Sequence, residues 1–335
     1  MTPGQVQCEA ATASQPKWKI HPVERRPASS LPYEEFLRDY VVANRPVIVQ
    51  GASPEWAALR TWTPEFFKDR FGSRTVEVTY GVHRPLGEVI DAVLRSTADE
   101  PGPYLHKVII HRDMPELLPD LTPESTYGFP RRFASPLMPR RFHRPDGFLK
   151  LLIGGVGGKF PLMHYDSDNA NAVITEIYGE KEFVLFSPQD TPSVYPHKGT
   201  GSTSQIDDLD HPDLEKFPLF AAATQYRGII GPGEAIFVPS RWWHTARVVT
   251  TSISVCSNML HSCNWSGFIA ESCSPGNGSL PSRVVKRIYL NSAGAIMGVA
   301  EQSQKLFPHI AASLRLSALC PADAPTLAGQ VHPSA

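Results

Sequence analysis

The chain has 335 residues, 41% of them hydrophobic and 19% charged, which supports a real core and one large or two ordinary domains. A formal net charge of −1 leaves no global basic field, so nucleic acid is not expected as a partner. No apolar run is long enough to span a bilayer, and no charged-then-apolar leader opens the sequence. The 5 cysteines are odd in number and none has C-x-x-C spacing, as in free thiols of a reducing compartment. An intracellular, cytoplasmic location is therefore expected. The 32 prolines predict many punctuated segment ends and few long helices.

In chain order, residues 1–30 are polar and Pro-rich and are expected to be irregular. Residues 31–147 predict an α/β flank. It holds a helix over YEEFLRDYVVA with Ser30 as candidate cap, and a buried strand from Arg45 to Gly51. A short helix follows, opened by Thr63-Pro64-Glu65 with Thr at the N-cap and Pro at N1. Next come a strand TVEVTYG, a helix from Leu86 to Ser96 and a strand from Tyr104 to Ile110. Two Arg-Arg pairs, 131–132 and 140–141, form the one local basic cluster, read as a solvated loop or as a lid facing an anionic partner. Residues 148–262 read as short apolar strands with Gly/Pro turns: FLKLLIGG, ANAVITEIYG, KEFVLFSP, YRGII, GEAIFVP and TSISVCSNML. Such strands without helical periods predict an antiparallel double-sheet jelly roll. A long excursion, 188–218, interrupts them. Residues 263–318 predict two or three C-terminal helices, with Val284, Val285, Ile288, Ile296, Leu306 and Ile310 among their apolar positions, and 319–335 a disordered tail. The fold class is thus mainly β (α+β).

Within the jelly roll lies His164-Tyr165-Asp166. Side chains two apart on an extended segment point to one side, so the imidazole and carboxylate converge. They make two-thirds of the 2-His-1-carboxylate set of non-haem Fe(II) oxygenases, and His244 in VPSRWWHTARV is the best third ligand. A lone H-x-D is a weak motif. His111-Arg112-Asp113 is a second copy that also imitates a kinase catalytic loop, but the kinase Asn and Gly-rich loop are missing, and it reads as a strand-end loop. GGVGGK is not a phosphate loop, because Ile153 stands where its first Gly belongs and Phe160 follows Lys159. Trp242-Trp243 reads as aromatic packing beside the metal.

The run LLIG, Gly-rich residues, P-x-x-H-Y-D, Gly179-x-Lys181, FVLFSP and GPGEAIFVPSRWWH resembles the jumonji-C/cupin-like 2-oxoglutarate dioxygenases, most closely the factor-inhibiting-HIF type of hydroxylase. The resemblance is good from Tyr104 to Asn258 and nearly absent after it. It implies a double-stranded β-helix and the cofactors Fe(II), 2-oxoglutarate and O2. His164, Asp166 and His244 then correspond to the metal ligands. The distal carboxylate of 2-oxoglutarate needs a cation inside an apolar barrel. Lys181 matches the family Lys that supplies it, and Tyr104 a family Tyr that helps. Asn171 and Asn258 stand nearest the places of two family asparagines. Departures are Phe160 in place of a Thr, Cys256 at the expected last-strand Asn, and Ser202-Thr203 where an asparaginyl hydroxylase carries its amide clamp. Asparagine hydroxylation therefore does not carry over.

The expected activity is hydroxylation of an unactivated C–H bond of a peptide side chain or small metabolite, with succinate and CO2 as co-products. The alternatives are an N-demethylase of the same chemistry, a cupin module that holds metal without catalysis, and a jelly-roll hydrolase or isomerase using another divalent metal. The apolar C-terminal helices predict a homodimer, or else packing on the N-terminal flank.

Overall fold

The computed structural model describes residues 18–79, 81–128 and 149–306. The two arginine pairs, Ile310 and the 319–335 tail lie outside the described residues. The strands are β1 (Lys19–Pro22), β2 (Arg25–Pro27), β3 (Val47–Gln50), β4 (Thr75–Thr79), β5 (Val82–Pro85), β6 (Tyr104–Ile109), β7 (Leu149–Gly154), β8 (Asn171–Phe186), β9 (Thr224–Ile230), β10 (Ala235–Val238) and β11 (Trp243–Met259). The helices are α1 (Tyr33–Phe36), α2 (Ala58–Thr61), α3 (Pro64–Phe71), α4 (Leu86–Arg95), α5 (Ile110–Asp113), α6 (Trp265–Ser272) and α7 (Leu280–Leu306).

β8 and β11 organise the fold. They are 16 and 17 residues long and pair antiparallel along their whole length. The segments ANAVITEIYG and KEFVLFSP, expected as two strands, are thus one strand with a bend. The bend sits at Gly179, whose φ is 77°. A Cβ there would collide with the Thr251 carbonyl, so only Gly fits. β11 answers with register shifts between Val248 and Ser254. The first half of β8 pairs with β10 and the end of β11; the second half pairs with β9 and the start of β11. The remaining order is β2-β3-β10-β8-β11-β7-β6, with β1 on β9. The cupin-like jelly roll follows from that folding-over.

The bend also reverses which positions face inward. Ala172 and Ile174 pack against Phe183 and Leu185 in one inner cluster with Leu152, Ile236, Ala246 and Cys256. The inward positions are even-numbered before Gly179 and odd-numbered after it. Three outer clusters cover the barrel. Val173, Phe237 and Met259 pack on α1 residues, Ile177, Leu151 and Val255 on α3 and α4, and Val184, Phe186 and Trp243 on the 188–222 excursion.

The flank matches its sequence signals in most places. Thr63 caps α3, its hydroxyl accepting from Phe66 N at 3.2 Å, with Pro64 at N1. Ser30 does not cap α1: Pro32 occupies the N-cap, and the Ser30 hydroxyl donates to the Pro27 carbonyl. Residues 19–27, expected to be irregular, form two edge strands, whose mostly exposed side chains give no alternation to read. α7 runs 27 residues despite the many prolines, because Pro281 sits in its first turn, where a missing N–H costs nothing. Among the described residues it packs on α6, through Leu290, Ala293 and Met297 against Trp265, Phe268 and Ile269. No helix among the described residues is long and apolar enough to cross a membrane.

Candidate active site

The segment before β8 is not a full strand but runs beside the start of β11 through isolated bridges. Phe160 N donates to the Ala246 carbonyl at 2.9 Å. His164 and His244 exchange both backbone hydrogen bonds, at 3.0 and 2.7 Å. That exchange places the two rings side by side, with centroids 4.4 Å apart. Asp166, two residues on, turns to the same side, and its Oδ1 lies 3.9 Å from His164 Nε2. One donor atom from each of His164, Asp166 and His244 lies within 4.8 Å of the others.

Both imidazoles are oriented by their own backbone. Nδ1 of His164 lies 3.0 Å from the Leu162 carbonyl, and Nδ1 of His244 lies 3.1 Å from the Trp242 carbonyl. With the Nδ1 proton held there, each Nε2 keeps a free lone pair for a metal, the usual way a protein fixes a ligating tautomer. Burial, then the neighbouring His244, pushes His164 down to about 4, so its ring is neutral at physiological pH, as ligation requires. Phe160 stacks on His164 with centroids 4.4 Å apart and a 19° tilt, fixing the ring from the other face. Two nitrogens and one carboxylate oxygen on one wall suit Fe(II).

Deeper in the barrel lies a polar island. Lys181 and Glu176 are fully buried, 3.8 Å apart. Lys181 Nζ donates to Ser254 Oγ, and Ser252 Oγ donates to Glu176 Oε1. Glu176 Oε2 has no hydrogen-bond partner among the described residues. The Tyr104 ring sits under Lys181, its centroid 5.2 Å from Nζ. Burial works against the Lys181 ammonium, but Glu176 and Tyr104 more than offset it and hold its pKa above the ordinary lysine value. Burial lifts Glu176 to about 7 even with Lys181 and the two serine hydroxyls pulling it down. The Cys256 thiol beside them is pushed up to about 12, again by burial.

The two asparagines separate. Asn258 faces inward, and its Oδ1 accepts from Lys150 Nζ at 2.9 Å. Asn171 corrects the expectation: it shares the outward face of Val173, not the inward face of Ala172. Its amide is committed to Ser240 N at 2.8 Å and to His261 Nδ1 at 3.2 Å. It therefore fastens the β10–β11 turn and does not reach Lys181. His111-Arg112-Asp113 forms the helical turn α5 where a loop was expected. Asp113 accepts from Ile109 N and pairs with Arg112, and the set has no part in the metal cluster.

Reading the sequence missed three residues of the chamber. Lys150 shares the inward face of Leu152, and its charge helps depress His164. His106 packs against Phe160 with centroids 4.9 Å apart. Glu176 is the third. A charged residue inside an apolar strand, as in FLKLLIGG and AVITEIYG, was the available signal. Arg247, by contrast, is spent outside the barrel, 2.6 Å from Glu182 and 2.8 Å from Asp210, clamping the excursion. That excursion also lays Ser202–Ser204 on the H-x-D segment: Tyr165 N donates to the Ser202 carbonyl and Ser204 N to the Met163 carbonyl.

A jelly roll with two histidines and an aspartate clustered on one inner wall defines a metal-dependent cupin. Residues 82–266, more than half of the chain, match the family described as cupin-like domain. The chain belongs to that family and to its jumonji-C branch of Fe(II)- and 2-oxoglutarate-dependent oxygenases. It is 26% identical over 251 residues to lysine-specific demethylase 8 of Danio rerio, covering 70% of this chain and 58% of the relative. It is also 26% identical over 249 residues to tRNA wybutosine-synthesizing protein 5 of Gallus gallus, covering 68% of this chain and 73% of the relative. A shorter match, 32% over 145 residues, is to HSPB1-associated protein 1 of Homo sapiens, 42% of this chain and 26% of that protein. The chain thus spans only part of the length of these relatives.

Proposed function

We propose that this chain is an Fe(II)- and 2-oxoglutarate-dependent hydroxylase acting on a C–H bond of a peptide side chain or small metabolite. The observation that carries the reading is the cluster of His164, Asp166 and His244 in a jelly roll that also holds a fully buried Lys181 over the Tyr104 ring. His164, Asp166 and His244 would hold the iron, with Nε2 the ligating atom of each imidazole. Lys181 would hold the distal carboxylate of 2-oxoglutarate, Tyr104 would support that ammonium from below, and Asn258 would fix Lys150 on the inward face. Iron and 2-oxoglutarate bound there supply the oxidising chemistry: O2, 2-oxoglutarate and R–H give R–OH, succinate and CO2. The protein's part is to hold the ligands, exclude water and aim the substrate.

N-demethylation is the same chemistry on an N-methyl group, and the relative named lysine-specific demethylase supports it as the second reading. The relative named for tRNA wybutosine synthesis brings RNA into the screen, although a net charge of −1 argues against a nucleic-acid partner. The apolar side chains Val284, Val285, Ile288 and Val299 stand exposed along α7, which supports pairing of two copies through that helix. The buried free thiols Cys256 and Cys273 fit a reducing, cytoplasmic setting.

The test is succinate release by the Fe(II)-loaded chain, followed by mass analysis of peptide, metabolite and RNA pools. Gain of one oxygen supports hydroxylation, and loss of a methyl group supports demethylation. A chain that binds iron yet releases no succinate with any pool would leave the non-catalytic cupin reading.

A further inference from the structure

Lys181 already faces a buried carboxyl group before any co-substrate arrives. Its ammonium lies 3.8 Å from Glu176, and both side chains are fully buried. This wall of the barrel holds one cation and one anion. If Lys181 anchors the distal carboxylate of 2-oxoglutarate, as proposed above, docking brings a second carboxylate to the same ammonium. Two carboxylates sharing one buried site cannot both stay ionised. Among the described residues no other cation is placed against Glu176 to absorb the extra charge. On β7, Lys150 is held by Asn258 nearer the histidines. On β11, the neighbours are Ser252, Ser254 and the thiol of Cys256. On β6 the neighbour is the Tyr104 phenol. β9 and β10 contribute the apolar Ile230, Ile236 and Val238.

We propose that Glu176 takes up one proton from solvent when a dicarboxylate docks on Lys181 and donates it as a hydrogen bond to the incoming carboxylate. The step balances: the Glu176 carboxylate plus H+ becomes a carboxylic acid, and its O–H points to the ligand oxygen. The geometry suits it. Ser252 fixes Oε1, whereas Oε2, the oxygen nearest Lys181, has no hydrogen-bond partner among the described residues. A ligand oxygen bonded to the ammonium on the side facing Glu176 would lie within hydrogen-bond range of Oε2, and O–H···O⁻ bonds are among the strong ones. Glu176 thereby acts as a specificity residue. Its proton makes room for a doubly charged co-substrate, and co-substrate affinity falls as pH rises.

The test is calorimetric titration of 2-oxoglutarate into the anaerobic Fe(II)-loaded protein, in two buffers of different ionisation enthalpy, at pH 6 and pH 8. Burial already places Glu176 near 7, so the carboxylate is mostly protonated at the lower pH and mostly ionised at the higher. Proton uptake near one at pH 8 and near zero at pH 6 is expected, with Kd about tenfold weaker at pH 8. Glu176→Gln should bind with no proton uptake and a flat pH profile, which excludes titrating histidines as the source. Lys181→Met should lose binding. If Lys181→Met binds 2-oxoglutarate like wild type, the anchor assignment falls and this proposal with it. If Lys181→Met fails to bind but the wild type takes up no proton at pH 8, the anchor stands and the role of Glu176 is overturned.

Discussion

Lys181→Met removes the charged partner that a buried carboxylate has among the described residues, and its cost should depend on pH in a defined direction. The pair is 3.8 Å apart with both side chains inaccessible to solvent. At an effective dielectric near 20, that separation corresponds to about 4 kcal/mol. Breaking a buried pair from one side costs on the order of 3–5 kcal/mol, because the remaining charge is stranded. Glu176 can escape by protonating. In the wild type it titrates at about 7, and Lys181 is what pulls it down from where burial alone would put it. In the variant it therefore titrates higher. A carboxyl whose pKa is raised by folding contributes stability at low pH, and that contribution is lost as pH rises through the folded value. The loss is complete near pH 7 in the wild type and continues upward in the variant. Each further pH unit then costs the variant about 1.4 kcal/mol relative to wild type, or roughly 2–4 °C in Tm. Differential scanning calorimetry of the metal-free proteins between pH 6 and pH 9 measures this directly. The gap in Tm should widen steadily above pH 7, and Lys181→Met with Glu176→Gln should close most of it. Parallel curves for wild type and Lys181→Met would refute the coupling of these two side chains.

Other outcomes follow from the same geometry. His164→Ala or His244→Ala should abolish stoichiometric Fe(II) binding measured by elemental analysis, since two remaining ligands seldom hold the ion, whereas His111→Ala should leave it unchanged. Gly179→Ala should lower stability by more than about 2 kcal/mol in chemical denaturation, because a φ of 77° and the Thr251 carbonyl both oppose a Cβ there. A fully stable alanine variant would mean the β8 bend sits elsewhere. Val285→Lys with Ile288→Lys, both on the exposed side of α7, should convert a dimer to a monomer in light scattering with little change in Tm. A wild type that already runs as a monomer at micromolar concentration would dispose of the α7 interface.

Much of this molecule was written in local patterns. The H-x-D motif, the WWH that follows a Gly/Pro-punctuated strand and opens β11, and Lys181 two residues beyond Gly179 are short-range signals, as is Thr63-Pro64 at the start of α3. They could be read because period-two alternation and capping act within a few residues. What the tertiary structure decided was which face each strand turns inward. Asn171 stood near the place of a family asparagine, yet the pleat sends it outward to Ser240 and His261. Glu176 and Lys181 are five positions apart, an odd separation that in a regular strand sends side chains to opposite faces. Only the bend at Gly179, fixed by the shifted register of β11, reverses the alternation and puts both on the inner wall. The residues that cluster as the candidate metal site could be named from the chain. The charge that Lys181 meets inside the barrel could not, because it depends on a change of phase that exists only once β8 and β11 have paired.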